Sequence, residues 1–175
     1  MKHKILIFLI LTIFTSCNDS LPESQLEDLV ANEPMELELV CKKFLSKGSI
    51  QNIAIPRIKD SNKCNSINNW ILCGGQWESW NETGDNKIYL PNIEEVLKSE
   101  KIEQAEYNYY VQFLQKSNLE SILRVYQCDN CVDLESSVTG LRYSNNKKYL
   151  LKEDFEYLSV KRINDNWFVY TRDWN

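Results

Sequence analysis

The sequence is almost without histidine: His3 is the only one among 175 residues. Beyond that position no Ser-His-Asp or Cys-His catalysis can be assembled. Imidazole metal sites are excluded with it, as is the usual general base near neutral pH. An enzyme made from the rest of this chain would have to work with carboxylates, lysine, tyrosine or thiols. Long apolar runs are lacking as well. The longest, Ile5 to Phe14, has about ten residues, against the roughly 20 that a membrane-spanning helix needs. No P-loop or G-x-G-x-x-G is present to cradle a phosphate. Neither a low-complexity tract nor an internal repeat is visible.

What is there is acidic and rich in apolar side chains. Twenty Lys and Arg stand against 25 Asp and Glu, a net charge of −5. That balance argues against a nucleic-acid partner and against attraction to anionic lipid by charge. Hydrophobic residues make up 43% and aromatics 11% of the chain, enough for a packed core.

The N-terminus has three parts. Lys2, His3 and Lys4 form a basic head, Ile5 to Phe14 an apolar run, and the small Thr15 and Ser16 lead directly to Cys17. This is the layout of a secretory signal. Phe14-Thr15-Ser16-Cys17 further resembles the lipobox of bacterial lipoproteins. The resemblance implies cleavage before Cys17 and acyl chains, palmitate among them, on that cysteine. Each buried methylene contributes about 0.8 kcal/mol, so one chain binds reversibly and two or more hold. Asn18 stands where an aspartate favours inner-membrane retention in enterobacterial lipoproteins, so the resemblance points to the outer membrane. Richness in Lys, Asn and Ile suits a Bacteroidota-type host, and Asp19-Ser20-Leu21 resembles the O-glycosylation sequon of that group. Loss of residues 1–16 removes two lysines and no acid, taking the net charge from −5 to −7.

Residues 17–33 are expected to be the acylated N-terminus and a flexible polar tether, and residues 34–175 one α+β domain. Met35 to Leu45 has helical spacing, with Gly48 as a stop. A loop-rich stretch with short strands near Ile50 to Ile55 and Trp70 to Cys73 follows. Pro91-Asn92 opens a helix, and a second spans about 103–117. From Leu119 the period changes. Ile122 to Tyr126 and Val132 to Val138 read as extended. Two hairpins are predicted: Leu141 to Ser144 with Tyr149 to Leu151, and Phe155 to Ile163 with Trp167 to Thr171 about Asn164-Asp165-Asn166. The expected fold is N-terminal helices packed on a C-terminal antiparallel β-meander.

Cys128-Asp129-Asn130-Cys131 is the sharpest chemical motif. A redox C-x-x-C wants a helix N-terminus to lower its first thiol's pKa. Here a strand-like sequence follows, and Asp129 and Asp133 disfavour a thiolate. A structural disulfide is the preferred reading. Cys64 and Cys73 form a second candidate pair, and export permits oxidation. A four-thiolate zinc site from these cysteines is the weaker alternative, so no metal or cofactor is expected. Cys41 is read as buried and inert. Trp70, Trp77 and Trp80 either pin a long loop as core residues or, where exposed, stack on sugar rings. Ser144 to Lys147 has S-x-x-K spacing but falls in a predicted hairpin turn, so no catalytic residue is assigned.

These readings lead to an envelope lipoprotein, held on its membrane by acyl chains, with a non-enzymatic domain for protein or glycan contact. An envelope enzyme using carboxylates or the Cys128/Cys131 dithiol is one alternative. An inhibitor or immunity protein against an envelope toxin is the other.

Overall fold

The computed structural model describes residues 20–55, 64–73, 75–81, 83–126, 128–151 and 156–173. The expected signal segment and lipobox, with Cys17, and also Asn18, Asp19, Gly74 and Phe155 lie outside the described residues.

Apolar spacing of three and four builds the helices. α1 (Glu23–Asn32) buries Leu26 and Val30, one turn apart. α2 (Pro34–Ser46) starts with a proline, whose missing N–H is unneeded there, and buries Leu37, Val40, Cys41 and Phe44. Its C-terminal carbonyls are closed by Arg124, which donates to the oxygens of Phe44, Leu45, Lys47 and Ile50 at 2.7–3.0 Å. α3 (Ile93–Ser99) is capped by Asn92, whose side chain accepts from the Glu95 amide at 3.0 Å. α4 (Gln104–Lys116) buries Tyr110, Phe113 and Leu114.

Ten strands join one antiparallel sheet among the described residues. They are β1 (Asn52–Ala54), β2 (Asn65–Ile67), β3 (Trp70–Cys73), β4 (Gln76–Trp80), β5 (Lys87–Leu90), β6 (Ser121–Arg124), β7 (Cys131–Ser136), β8 (Thr139–Ser144), β9 (Tyr157–Arg162) and β10 (Trp167–Arg172). Their order across the sheet is β5-β4-β3-β2-β1-β6-β7-β8-β10-β9. The chain thus runs through two helices and five strands twice, and the sheet grows outward from the β1–β6 pair. The two strand runs differ at their ends, where β10 intrudes between β8 and β9. Three of the four helices pack on strands of the other run, α1 on β8 and β10, α2 on β7 and α3 on β5, while α4 packs on β6 of its own.

Side chains alternate between the two faces of a strand. Ile53, Ile67, Trp70, Trp77, Ile122, Val132, Leu134, Leu141, Tyr143, Trp167 and Val169 share one face and form the core with the helices. The other face carries Ala54, Ser66, Leu123, Asp133, Glu135, Arg142, Phe168 and Tyr170, as the ladder register requires.

The α+β class, the helix at Met35 to Leu45, both later helices and the final hairpin are as the sequence predicts. Three readings change. Residues 17–33 are not a flexible tether along their length. From Ser20 the chain is docked: Leu21 N donates to Ser136 Oγ at 2.7 Å, Thr139 Oγ1 donates to Leu21 O at 2.6 Å, and Glu23 accepts from Ser159 and Thr171. Tyr149 to Leu151 is not a strand, because β8 already has β7 and β10 as partners; Tyr149 lies edge-on to Phe168 on the second face instead. The loop-rich stretch supplies β2, β4 and β5 besides the two short strands predicted there, so the sheet extends well beyond the C-terminal meander.

Candidate functional site

The second face carries buried charge. Asp133 on β7 and Arg142 on β8 are register partners, with side chains 1% and 6% exposed. Arg142 Nε and Nη2 each reach a different Asp133 oxygen at 2.7 Å, a two-pronged pair. Two of the three remaining guanidinium hydrogens go to the hydroxyls of Tyr149 at 3.1 Å and Tyr157 at 3.0 Å. Arg172 on β10 adds a bond to Asp133 Oδ2 at 3.2 Å and one to Glu135 Oε1 at 2.8 Å. Glu135 also accepts from Tyr170 at 3.1 Å and from Ser121 at 3.0 Å. Gly140 makes this possible: a Cβ there would lie 2.5 Å from the Tyr170 ring.

The protonation of this cluster follows from burial and partners. Burial pushes the Glu135 carboxyl above its ordinary value, against the pull of Arg172, and the neighbouring Asp133 charge adds to the rise. Burial likewise drives the Tyr170 phenol well up, with both carboxylates contributing. Burial opposes the Arg142 charge, but the Asp133 hydrogen bond and charge outweigh it, so its pKa rises. The carboxylate oxygens of Asp133 and Glu135 are all engaged, and each arginine faces an acid. Chemically this is a neutralised, rigid floor.

Over that floor runs a cleft. A cavity of about 730 Å³ lies above Ala54, Ser66, Ser121 and Glu135. Another of about 700 Å³ lies above Asp133, Arg142, Tyr157 and Arg172. The two share Leu123, Arg124, Val125, Tyr126 and Cys128. A third, about 620 Å³, adjoins the first through Asn52 and Ser66 and ends at Trp80. Volumes of this size suit small ligands or short polymer segments. Tyr126 stands beside the cleft 97% exposed, and Trp80 is 59% exposed at the far end.

The predicted site residues separate. Cys64 bonds to Cys73 and Cys128 to Cys131, with Cα atoms 5.2 and 5.3 Å apart. These four cysteines are thus paired in two separate disulfides rather than gathered as one four-thiolate group. Cys131 opens β7 rather than a helix, and Cys128 lines the cleft wall. Cys41 is free and buried, its thiol pushed up by burial. Trp70 and Trp77 are core residues, Trp70 donating to Glu100 at 2.8 Å, so neither is available for stacking. Only Trp80 of the three presents its ring. Ser20 of the sequon-like tripeptide has its Oγ occupied by the Val138 amide at 2.8 Å. Ser144 is buried at the end of β8, outside any helix. Sequence reasoning missed Arg142, Arg172, Glu135 and Tyr126. The alternating acids of Val132-Asp133-Leu134-Glu135 carried a signal, two carboxylates on one strand face, but the arginines opposite them depend on strand register.

Among the described residues, no helix is long and apolar enough to cross a membrane, and no group of three or more Asp, Glu, Cys or His is placed to hold a metal. Comparison with protein-family models, with curated proteins and with solved structures finds no match.

Proposed function

We propose that this protein is a lipoprotein of the bacterial cell envelope, anchored by acyl chains on Cys17, whose domain binds a ligand without transforming it. The observation that carries the binding reading is the cleft on the helix-free sheet face. An exposed tyrosine stands beside it, and the ionic groups of its floor are spent on one another. A floor of paired charges gives shape and polarity, and its carboxylates, Asp133 and Glu135, are held by arginines rather than poised as bases. Two disulfides accord with export to an oxidising compartment. The signal-like N-terminus supplies the anchor.

The reading has two testable arms. Mass spectrometry of the mature N-terminal peptide is expected to find acylated Cys17, and a Cys17→Ser protein is expected to leave the membrane fraction. Ligand bound at a hundredfold excess over its Kd stabilises a domain by about 2.7 kcal/mol. Envelope extract is therefore expected to raise the melting temperature of the wild type but not of Ala54→Trp, whose ring fills the cleft floor. Equal shifts in both proteins would contradict the binding reading, and a Cys17→Ser protein retained on membranes would contradict the anchor.

A further inference from the structure

The docked position of Ser20 fixes how far the domain can stand from its anchor. Cys17 and Ser20 are three residues apart, and a fully extended chain spans at most about 3.3–3.6 Å per residue, so their separation cannot exceed roughly 11 Å. Ser20 is itself pinned: its Oγ accepts from the Val138 amide at 2.8 Å in the turn between β7 and β8. Leu21 is held on both its backbone groups by Ser136 and Thr139. An acyl-bearing cysteine lies at headgroup level, and the polar layer on each side of the hydrocarbon is only about 5–7 Å thick.

We infer that the end of the sheet bearing the β7–β8 turn rests directly on the lipid headgroups, with the strands rising from the membrane. The inference rests on acylation of Cys17. It adds a contact surface, the Ser136–Thr139 turn with Ser20 and Leu21, and a partner, the headgroup layer of the bilayer that holds the anchor. The cleft then opens sideways, because it crosses the strands on the helix-free face. Its floor begins at Glu135 and Ser121, next to the turn, while Cys131 lies four residues up β7 from Glu135, roughly 14 Å higher at about 3.4 Å per residue. A ligand in this cleft is held within about 20 Å of the membrane surface, a geometry suited to molecules that lie along the envelope layer.

The test uses the full acylated protein in phospholipid vesicles containing a nickel-chelating lipid, with one nitroxide label per sample. Val138→Cys places the label at the turn. Lys147→Cys places it past the other end of β8, roughly 20 Å away. Paramagnetic collision with the headgroup nickel is expected to be several-fold greater at 138 than at 147. Inserting about 20 flexible Gly/Ser residues before Ser20, with a root-mean-square reach of roughly 25 Å, is expected to bring 138 down to the level of 147. Equal collision at both positions, in a sample whose Cys17 is shown by mass to be acylated, would overturn the contact while leaving the anchor standing. A mass without acyl chains would overturn both.

Discussion

Replacing Asp133 by alanine is the most informative single change in the domain. Asp133 is 1% exposed and accepts three bonds: two from Arg142 at 2.7 Å and one from Arg172 at 3.2 Å. Its loss leaves the Arg142 guanidinium, itself 6% exposed, facing two tyrosine hydroxyls and no negative charge. Removing one partner of a buried ion pair costs about 3–5 kcal/mol, chiefly through the stranded charge. That is a large part of a typical total of about 5–15 kcal/mol. For a chain of this size the loss lowers the melting temperature by roughly 6–20 °C. The double variant Asp133→Ala, Arg142→Met strands no partner on β8 and is expected to recover most of that loss, since a buried pair is often worth little more than apolar residues in its place. Urea unfolding of the wild type, both single variants and the double variant at neutral pH completes the cycle. A single-variant loss under about 1 kcal/mol, or a double variant no better than Asp133→Ala, would refute the account of the floor as a charge-locked unit.

Two further outcomes follow from the same face. Because the folded-state pKa of Glu135 is raised above its ordinary 4.5, its contribution to stability is fully present below that value and is lost as pH rises through the raised one. Glu135→Gln should therefore remove part of the decline seen when unfolding is measured from about pH 4 upward; a difference between wild type and variant that does not change with pH contradicts this. The Cys128–Cys131 bridge closes a loop of sequence separation 3, so Cys128→Ser, Cys131→Ser should stay folded and lose less than the roughly 2–4 kcal/mol of longer bridges. The reduction potential of the pair should lie below about −300 mV, and a value between roughly −270 and −120 mV would instead favour a thiol enzyme.

How much of this was legible in the sequence depends on which forces act locally. α2 could be read because Leu37, Val40, Cys41 and Phe44 repeat at helical spacing ahead of the Gly48 stop, and α3 because Pro91-Asn92 precedes it. The last hairpin was legible because Asn164-Asp165-Asn166 separates two β-rich runs; in the structure Asn164 Oδ1 accepts from the amides of Asn166 and Trp167. α1 was not: Leu26, Leu29 and Val30 have helical spacing, but acids and polar residues surround them, and composition outweighed spacing. β2 and β5 have three and four residues, too short for a period to emerge, and Lys87 and Asn65 blur their alternation. The cleft was hidden for a different reason. All six residues of β8 are buried, so its sequence does not reveal which face the helices leave uncovered. Trp80 differs from Trp70 and Trp77 only in register, which no local pattern encodes.

The proposed anchor and the proposed site together require the cleft on the helix-free face to be occupied while the protein is on its membrane. Tyr126 and Trp80 are 97% and 59% exposed in the bare domain, and exposed Met35 on α2 serves as an internal reference away from the cleft. Hydroxyl-radical footprinting of intact envelopes, compared with the purified domain and read by mass spectrometry, measures all three side chains at once. Binding in the cleft predicts that Tyr126 and Trp80 are protected in the envelope while Met35 is labelled as in the purified protein; equal labelling of all three in both samples would contradict it.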